Sequence, residues 1–206
     1  MRDDEGTARI EAFSDGVIAI AITLLVLGIK IPLHETVERI GLPQALWNLW
    51  PSYLAFVTSF ISILLIWVKH HWMISMVERT DHGFLYLNGL LLLFITFLPF
   101  PTGLLAEYML HAEGKVAASL YAVTVLAISM AFNGLWLHAI KGSRLLTNNP
   151  SLSSTNEVRQ ITEQNRYSPP FYMAALIASF YSEILGIVIC FFAAVFFAIR
   201  DWATNR

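Results

Sequence analysis

Arg9-Ile10-Glu11-Ala12-Phe13-Ser14-Asp15-Gly16-Val17-Ile18-Ala19-Ile20-Ala21-Ile22-Thr23-Leu24-Leu25-Val26-Leu27 decides which solvent this chain folds in. Beyond Asp15 no charge appears until Lys30. Read as a helix from about Ile10 to Ile31, the stretch is about 33 Å long at 1.5 Å per residue, enough to cross a hydrocarbon core of roughly 30 Å. Met1 to Gly6 carries acids as well as Arg2, and the apolar run after it is long, which does not match a cleaved secretory signal. The first helix is expected to stay in the mature protein.

Working outward, three more runs of spanning length follow, at about 46–68, 83–105 and 116–140. Composition agrees: 56% of the 206 residues are hydrophobic, only 14% are charged, and the mean hydropathy is +0.60. A soluble domain needs no such runs. The expected class is all-α, a single polytopic membrane domain. The charges lie between the runs, so no basic stripe for nucleic acid exists and the net charge of −2 says nothing about partners. Cys190, the only cysteine, lies inside an apolar run and reads as a small core residue.

The polar stretch from Lys141 to Ser168 reads as a loop, partly helical around Asn156 to Arg166. The apolar chain from Pro169 to Ile199 is too long for one comfortable span. Two short spans, 169–182 and 184–200, turning near Tyr181-Ser182-Glu183, fit better, with Pro169 and Pro170 in the first turn of the fifth helix. With six spans, one side of the membrane receives Arg2, Arg9, Lys69, Arg79, Lys141, Arg144, Arg159, Arg166, Arg200 and Arg206. The other receives only Lys30, Arg39 and Lys115. The positive-inside rule then places both termini in the cytoplasm. Trp47 and Trp50 fall at one expected interface, and Trp67, Trp72, Trp136 and Trp202 near the other.

On a wheel of the first helix, Phe13, Ile20, Leu24, Leu27 and Ile31 lie within about 40° of one direction, with Thr23 about 60° from Ile20. Periodicity does not tell a stripe facing lipid from one lining a narrow pore. Glu11 and Asp15 share a face at the membrane edge and need partners there. The end of the second span, Lys69-His70-His71-Trp72, offers cations. Adjacent histidines diverge by about 100° on a helix, so they do not make a zinc pair, and no metal or cofactor is expected. No nucleophile and base share a membrane-depth spacing, so no enzyme is expected. Pro99-Phe100-Pro101-Thr102 is expected to end the third helix, and Asn88 within it to hydrogen-bond another helix.

Arg9-x-x-x-Phe13-Ser14-Asp15, then Ile20, Thr23 and Leu27, His70-His71-Trp72 and Asn88 through Pro99-Phe100 resemble the transmembrane protein 175 family of endolysosomal-type potassium channels and their prokaryotic relatives. The resemblance covers the first three spans well and the rest by length and topology. It implies a multi-pass potassium channel of a prokaryotic plasma membrane, with a homotetramer of first helices around the pore. It implies an apolar constriction at Ile20, with Leu24 and Leu27 on the following turns and Thr23 beside it. It also implies that Arg9, Phe13, Ser14 and Asp15 hold the first helix against its neighbours. A Thr-Val-Gly-Tyr-Gly filter is absent, so selection for potassium over sodium is expected to be modest.

A rival reading is a proton-coupled secondary transporter using Asp15, His70 and His71. Against it, these groups lie at the membrane edge, whereas transporters bind near the midplane on broken helices. The charge asymmetry predicts that reporter fusions at Glu113 and at Arg206 lie on opposite sides of the membrane. Finding both on one side ends the six-span reading.

Overall fold

The structure, a computed structural model, describes residues 2–141, 146 and 155–204. Among them the chain is built from α1 (Arg2–Leu24), continued by a 3-10 turn over Leu25–Gly28, α2 (His34–Ile40), α3 (Leu42–Trp47), α4 (Trp50–Ser75), α5 (His82–Phe97), α6 (Pro99–Tyr108), α7 (Gly114–Ile140), α8 (Thr155–Tyr181) and α9 (Glu183–Thr204). No strand occurs among the described residues, where an isolated bridge joins Val77 to Leu146. Four segments are long and apolar enough to cross a bilayer: Gly6–Gly28, Trp50–Ser75, His82–Tyr108 and Gly114–Ile140. This is an all-helical membrane protein.

α7 is the hub. It packs on α5, α6, α8 and α9, while α4 packs on α6 and α9, and α1 lies against α4 and α5. Lipid gives helices no hydrophobic reason to associate, so close approach and interhelical hydrogen bonds must hold the bundle. The buried residues of α4 include Ser52, Ala55, Ser59 and Ser62, small side chains one turn apart. Ser59 Oγ lies 2.8 Å from Thr102 Oγ1 and donates to the Tyr121 hydroxyl at 3.2 Å, tying α4, α6 and α7 together at depth. Ser119 and Ser179, 2.8 Å apart, tie α7 to α8. At the membrane edge Asp81 caps α5 by accepting from the Phe84 amide at 2.7 Å, and it also accepts from His138 on α7 at 2.9 Å. The Phe84 amide, then the His138 contact, hold the Asp81 carboxyl below its ordinary range.

Several boundaries differ from those expected. The first helix starts at Arg2, and its α-helical part stops at Leu24. Ile31 therefore lies beyond the helix, and the wheel does not extend to it. The stretch before Trp50 folds separately as α3, because Gly41, at φ 81°, and Pro43 start one helix and Pro51 starts the next. The third helix stops at Phe97, just before Pro99 as expected, but the span does not end there and runs on to Tyr108. The chain resumes as α6, with the Thr102 amide and hydroxyl both bonding the Leu98 carbonyl. Trp136 is fully buried and donates to Thr162 Oγ1 at 2.9 Å, so it is a core residue rather than part of an interfacial belt. Arg144 and the side chains of Arg200, Trp202 and Arg206 lie outside the described residues.

The largest difference concerns Pro169 and Pro170, which sit inside the 27-residue α8 rather than in its first turn. A proline within a helix frees the carbonyl four residues back. For Pro169 that is Asn165, and the Ser168 hydroxyl donates to the Asn165 carbonyl at 3.1 Å while lying 2.8 Å from Ser129 Oγ on α7. One hydroxyl supplies the missing donor and ties this part of α8 to α7. The polar Thr155 to Arg166 stretch can thus run without a break into the apolar half, and the chain then reverses at Ser182. There Ser182 Oγ accepts from the Leu185 amide at 3.3 Å, and Gly186 packs so closely on Ser179 that an added Cβ would stand 2.7 Å from its Cβ.

Ser168→Ala should lower the stability of the detergent-solubilised protein by about 1 kcal/mol, seen as a lower melting temperature. Adding Pro169→Ala, which restores a backbone N–H, should recover most of that loss. No recovery would mean that the hydroxyl does not substitute for the missing donor.

Candidate functional site

α1 is the least covered of the spanning helices: 22% of its apolar window is buried inside the chain, against 61% for α7. Its two faces differ sharply. Ser14, Ile18, Ala21 and Leu25, at steps of four, three and four, are fully buried against the bundle. On the opposite side Phe13 (65% exposed), Ile20 (60%), Leu24 (43%) and Leu27 (73%) are bare, together with Gly16 and Thr23. The expected stripe is therefore a face that no other described part of this chain covers. Leu27 stays on it although the 3-10 turn has changed the helical register. The Thr23 hydroxyl donates to the Ile20 carbonyl at 2.8 Å, which leaves its oxygen lone pairs for the bare side.

The covered side is fastened by polar contacts. Asn88 of α5 donates through Nδ2 to Ser14 Oγ at 3.0 Å and accepts through Oδ1 from His70 Nε2 of α4 at 2.8 Å. Ser14, His70 and Asn88 are all buried, so one amide joins three helices. An amide oxygen can only accept, so His70 carries its proton on Nε2. Its Nδ1 makes no hydrogen bond among the described residues. Nearer the membrane edge, His71 Nδ1 meets Glu11 Oε1 at 2.9 Å, and Trp67 Nε1 donates to Asp15 Oδ1 at 2.9 Å. The Trp67 and His71 rings stack with centroids 6.1 Å apart.

Glu11 thus finds a histidine, as the need for partners required, but Asp15 finds an indole N–H instead of a cation. Lys69 turns away from both and lies over the Phe197 ring at 5.2 Å. Trp72 is half-buried against the core. Arg9 and Phe13 line an open cleft between α1 and α5 that Asn88 and Gly89 also line. Phe13 stands largely exposed in that cleft, beside Leu85 and Leu92 of α5. His70 and His71 face different partners on different helices.

Trp67 is the residue that sequence reasoning missed. Its signal was available: Glu11 and Asp15 step forward by four on α1, while their partners His71 and Trp67 step back by four on α4, as an antiparallel helix pair requires.

Removing the shared amide strands two buried groups. Asn88→Ala should cost about 1–3 kcal/mol for each unsatisfied polar group, read as a large fall in melting temperature or loss of assembled protein on size exclusion. Protein that survives should keep its ion preference. An unchanged melting temperature would show that α1 is held by something else.

The pattern of the family described as endosomal/lysosomal potassium channel TMEM175 matches residues 9–99, from the first residue of the Arg9 motif to the start of α6. A potassium channel of Chamaesiphon minutus is 56% identical over 195 residues, 95% of each chain. The crystal structure of a lysosomal potassium-selective channel TMEM175 homolog from the same organism matches with a TM-score of 0.86 at 54% identity, covering 95% of this chain and 98% of that one. The endosomal/lysosomal proton channel TMEM175 of Gallus gallus is 34% identical over 143 residues, which is 66% of this chain and 28% of the other. Identity of this depth along nearly the whole length shows that the chain belongs to the TMEM175 family of ion channels.

Proposed function

We propose that this protein is a potassium channel of the cell membrane, modestly selective over sodium, whose pore is formed by four copies with α1 of each lining it. In this reading the chain crosses the membrane six times, the apolar half of α8 and the helix α9 supplying the last two spans, and both termini are cytoplasmic. The permeant ion is the only ligand the mechanism uses.

The observation that carries the reading is the bare face of α1, apolar from Phe13 to Leu27 while the opposite face is fastened to α4 and α5. A helix pinned on one side and uncovered on the other is suited to line a passage between copies. Ile20 is the narrowest point, Leu24 and Leu27 extend the apolar stretch, and Thr23 contributes a hydroxyl oxygen whose own hydrogen is already used. Such a constriction works by controlling wetting and partial dehydration, not by replacing the whole hydration shell with carbonyls. The potassium-channel names of the Chamaesiphon minutus relatives support the choice of ion.

The second reading is proton movement, either as conduction or as coupled transport, using Asp15 with His70 and His71. The proton-channel name of the Gallus gallus relative favours it. Against it, Asp15, His70 and His71 are engaged by Trp67, Asn88 and Glu11 rather than lying along the bare face.

Recordings of purified protein in planar bilayers test both. Ile20→Ala should raise unitary conductance and move the potassium/sodium bi-ionic reversal potential toward zero. Thr23→Val, which removes a hydroxyl at nearly constant volume, should shift the reversal potential with little change in conductance. If Ile20→Ala alters neither quantity, α1 does not line the pore. A reversal potential that follows the pH gradient and ignores potassium would favour the proton reading.

A further inference from the structure

The bare face of α1 ends in charge. Three residues beyond Leu27, Lys30 reaches across to α6 and places Nζ 2.9 Å from Glu107 Oε2. Both side chains stay substantially exposed, at 67% and 47%. Lys30 and Glu107 line the same open cleft as Leu24, Leu27 and Gly28, with Phe100 and Tyr108 on its α6 wall. The cleft is thus continuous with the face assigned to the pore. Gly28 lies against α6 here, a Cβ on it standing 3.5 Å from the Gly103 Cα, in ordinary van der Waals contact. So exposed a pair adds little to stability. Its position gives it another use.

We propose that Lys30 and Glu107 form a charge-compensated ring at the pore mouth on the C-terminal side of α1, and that Glu107 sets cation entry by cancelling the field of Lys30. This rests on the four-fold, α1-lined reading above. Four lysines alone would surround the mouth with positive potential and deplete the ion the pore conducts. Four lysines each held against a carboxylate present almost no net field to a cation on the axis. The effect is calculable. For four uncompensated charges about 10 Å from the axis, Coulomb's law with screening lowers the local monovalent cation concentration roughly twofold at about 0.15 M salt and roughly sevenfold at about 0.01 M. Removing the lysine instead leaves four carboxylates and enriches cations by similar factors.

This assigns Glu107 and Lys30 a part in conduction that differs from that of the constriction. Ile20 acts on every ion by size and wetting. The Lys30–Glu107 pair acts only on charge, only on ions entering from its own side, and only as far as salt leaves it unscreened.

Single-channel recording in symmetrical potassium chloride at about 0.15 M and about 0.01 M distinguishes these roles. Glu107→Gln should reduce current entering from the Lys30 side by roughly twofold at the higher salt and by several-fold at the lower, while current from the other side falls less, so the channel rectifies. Lys30→Gln should rectify in the opposite sense. The exchanged pair, Lys30→Glu with Glu107→Lys, should be nearly ohmic, which guards against loss of folding in either single variant. Lys30→Cys in an already conducting channel gives an independent arm. Cys190 is buried, so positively and negatively charged methanethiosulfonates should shift entry currents in opposite directions through the introduced thiol. If neither single variant nor thiol modification rectifies at low salt while Ile20→Ala does change conductance, the ring proposal is overturned and the pore assignment stands. If Ile20→Ala also changes nothing, both are overturned.

Discussion

One amide underlies the arrangement. Asn88 gives its nitrogen to Ser14 and its oxygen to His70, joining α1, α5 and α4 through three buried side chains. Within a bilayer an unpaired polar group has few alternatives, so this contact fixes which side of α1 faces inward. Ser14, Ile18, Ala21 and Leu25 follow by helical repeat, and so does the bare side carrying Ile20, Leu24 and Leu27. The edge contacts, Trp67 to Asp15 and His71 to Glu11, keep α1 from rotating or sliding along α4. The bare face owes its orientation to side chains on the opposite face of the same helix.

The rest of the bundle serves as a rigid backing. Small residues on α4 let α6 and α9 approach, and hydroxyl contacts such as Ser59 with Thr102 and Tyr121 hold the helices where dispersion alone would not select a register. Carbonyls freed by proline are handled locally: the Ser168 hydroxyl takes that of Asn165 in α8, and the Leu98 amide takes that of Ile95, four residues before Pro99. A span whose freed carbonyls are bonded can stay in the membrane, so α8 runs through Pro169 and Pro170 and the third span resumes at once after Leu98.

The class of the fold was legible because it depends on run length and composition, properties that neighbouring segments do not alter. The two faces of α1 were not, since both are apolar and a wheel records direction without saying what lies there. The polar residues held more information. Asn88 inside an apolar run could be expected to bond another helix, and Glu11 with Asp15 announced a need for partners. Which partners they found depended on the antiparallel register of α4, and so Trp67 was overlooked while Lys69 seemed available. The proline pair misled for a related reason: a helix start is the commonest place for proline, and only the tertiary position of Ser168 and Ser129 makes an interior place tolerable.

Channel chemistry suits this division of labour. Titratable groups bonded into the back and edge of α1 lie away from the side where the proposed passage runs, and the bare face between Phe13 and Leu27 carries none. In the proposed pore it would offer an ion a narrow, weakly polar wall and the Thr23 oxygen, whose hydrogen is committed to the Ile20 carbonyl. An oxygen with only lone pairs to present attracts cations and not anions. An aliphatic wall penalises a small, tightly hydrated cation more than a larger, loosely hydrated one. In the proposed pore, selection of that kind needs the wall held in a fixed orientation, a task that the Asn88, Trp67 and His71 contacts on the back and edge of α1 share.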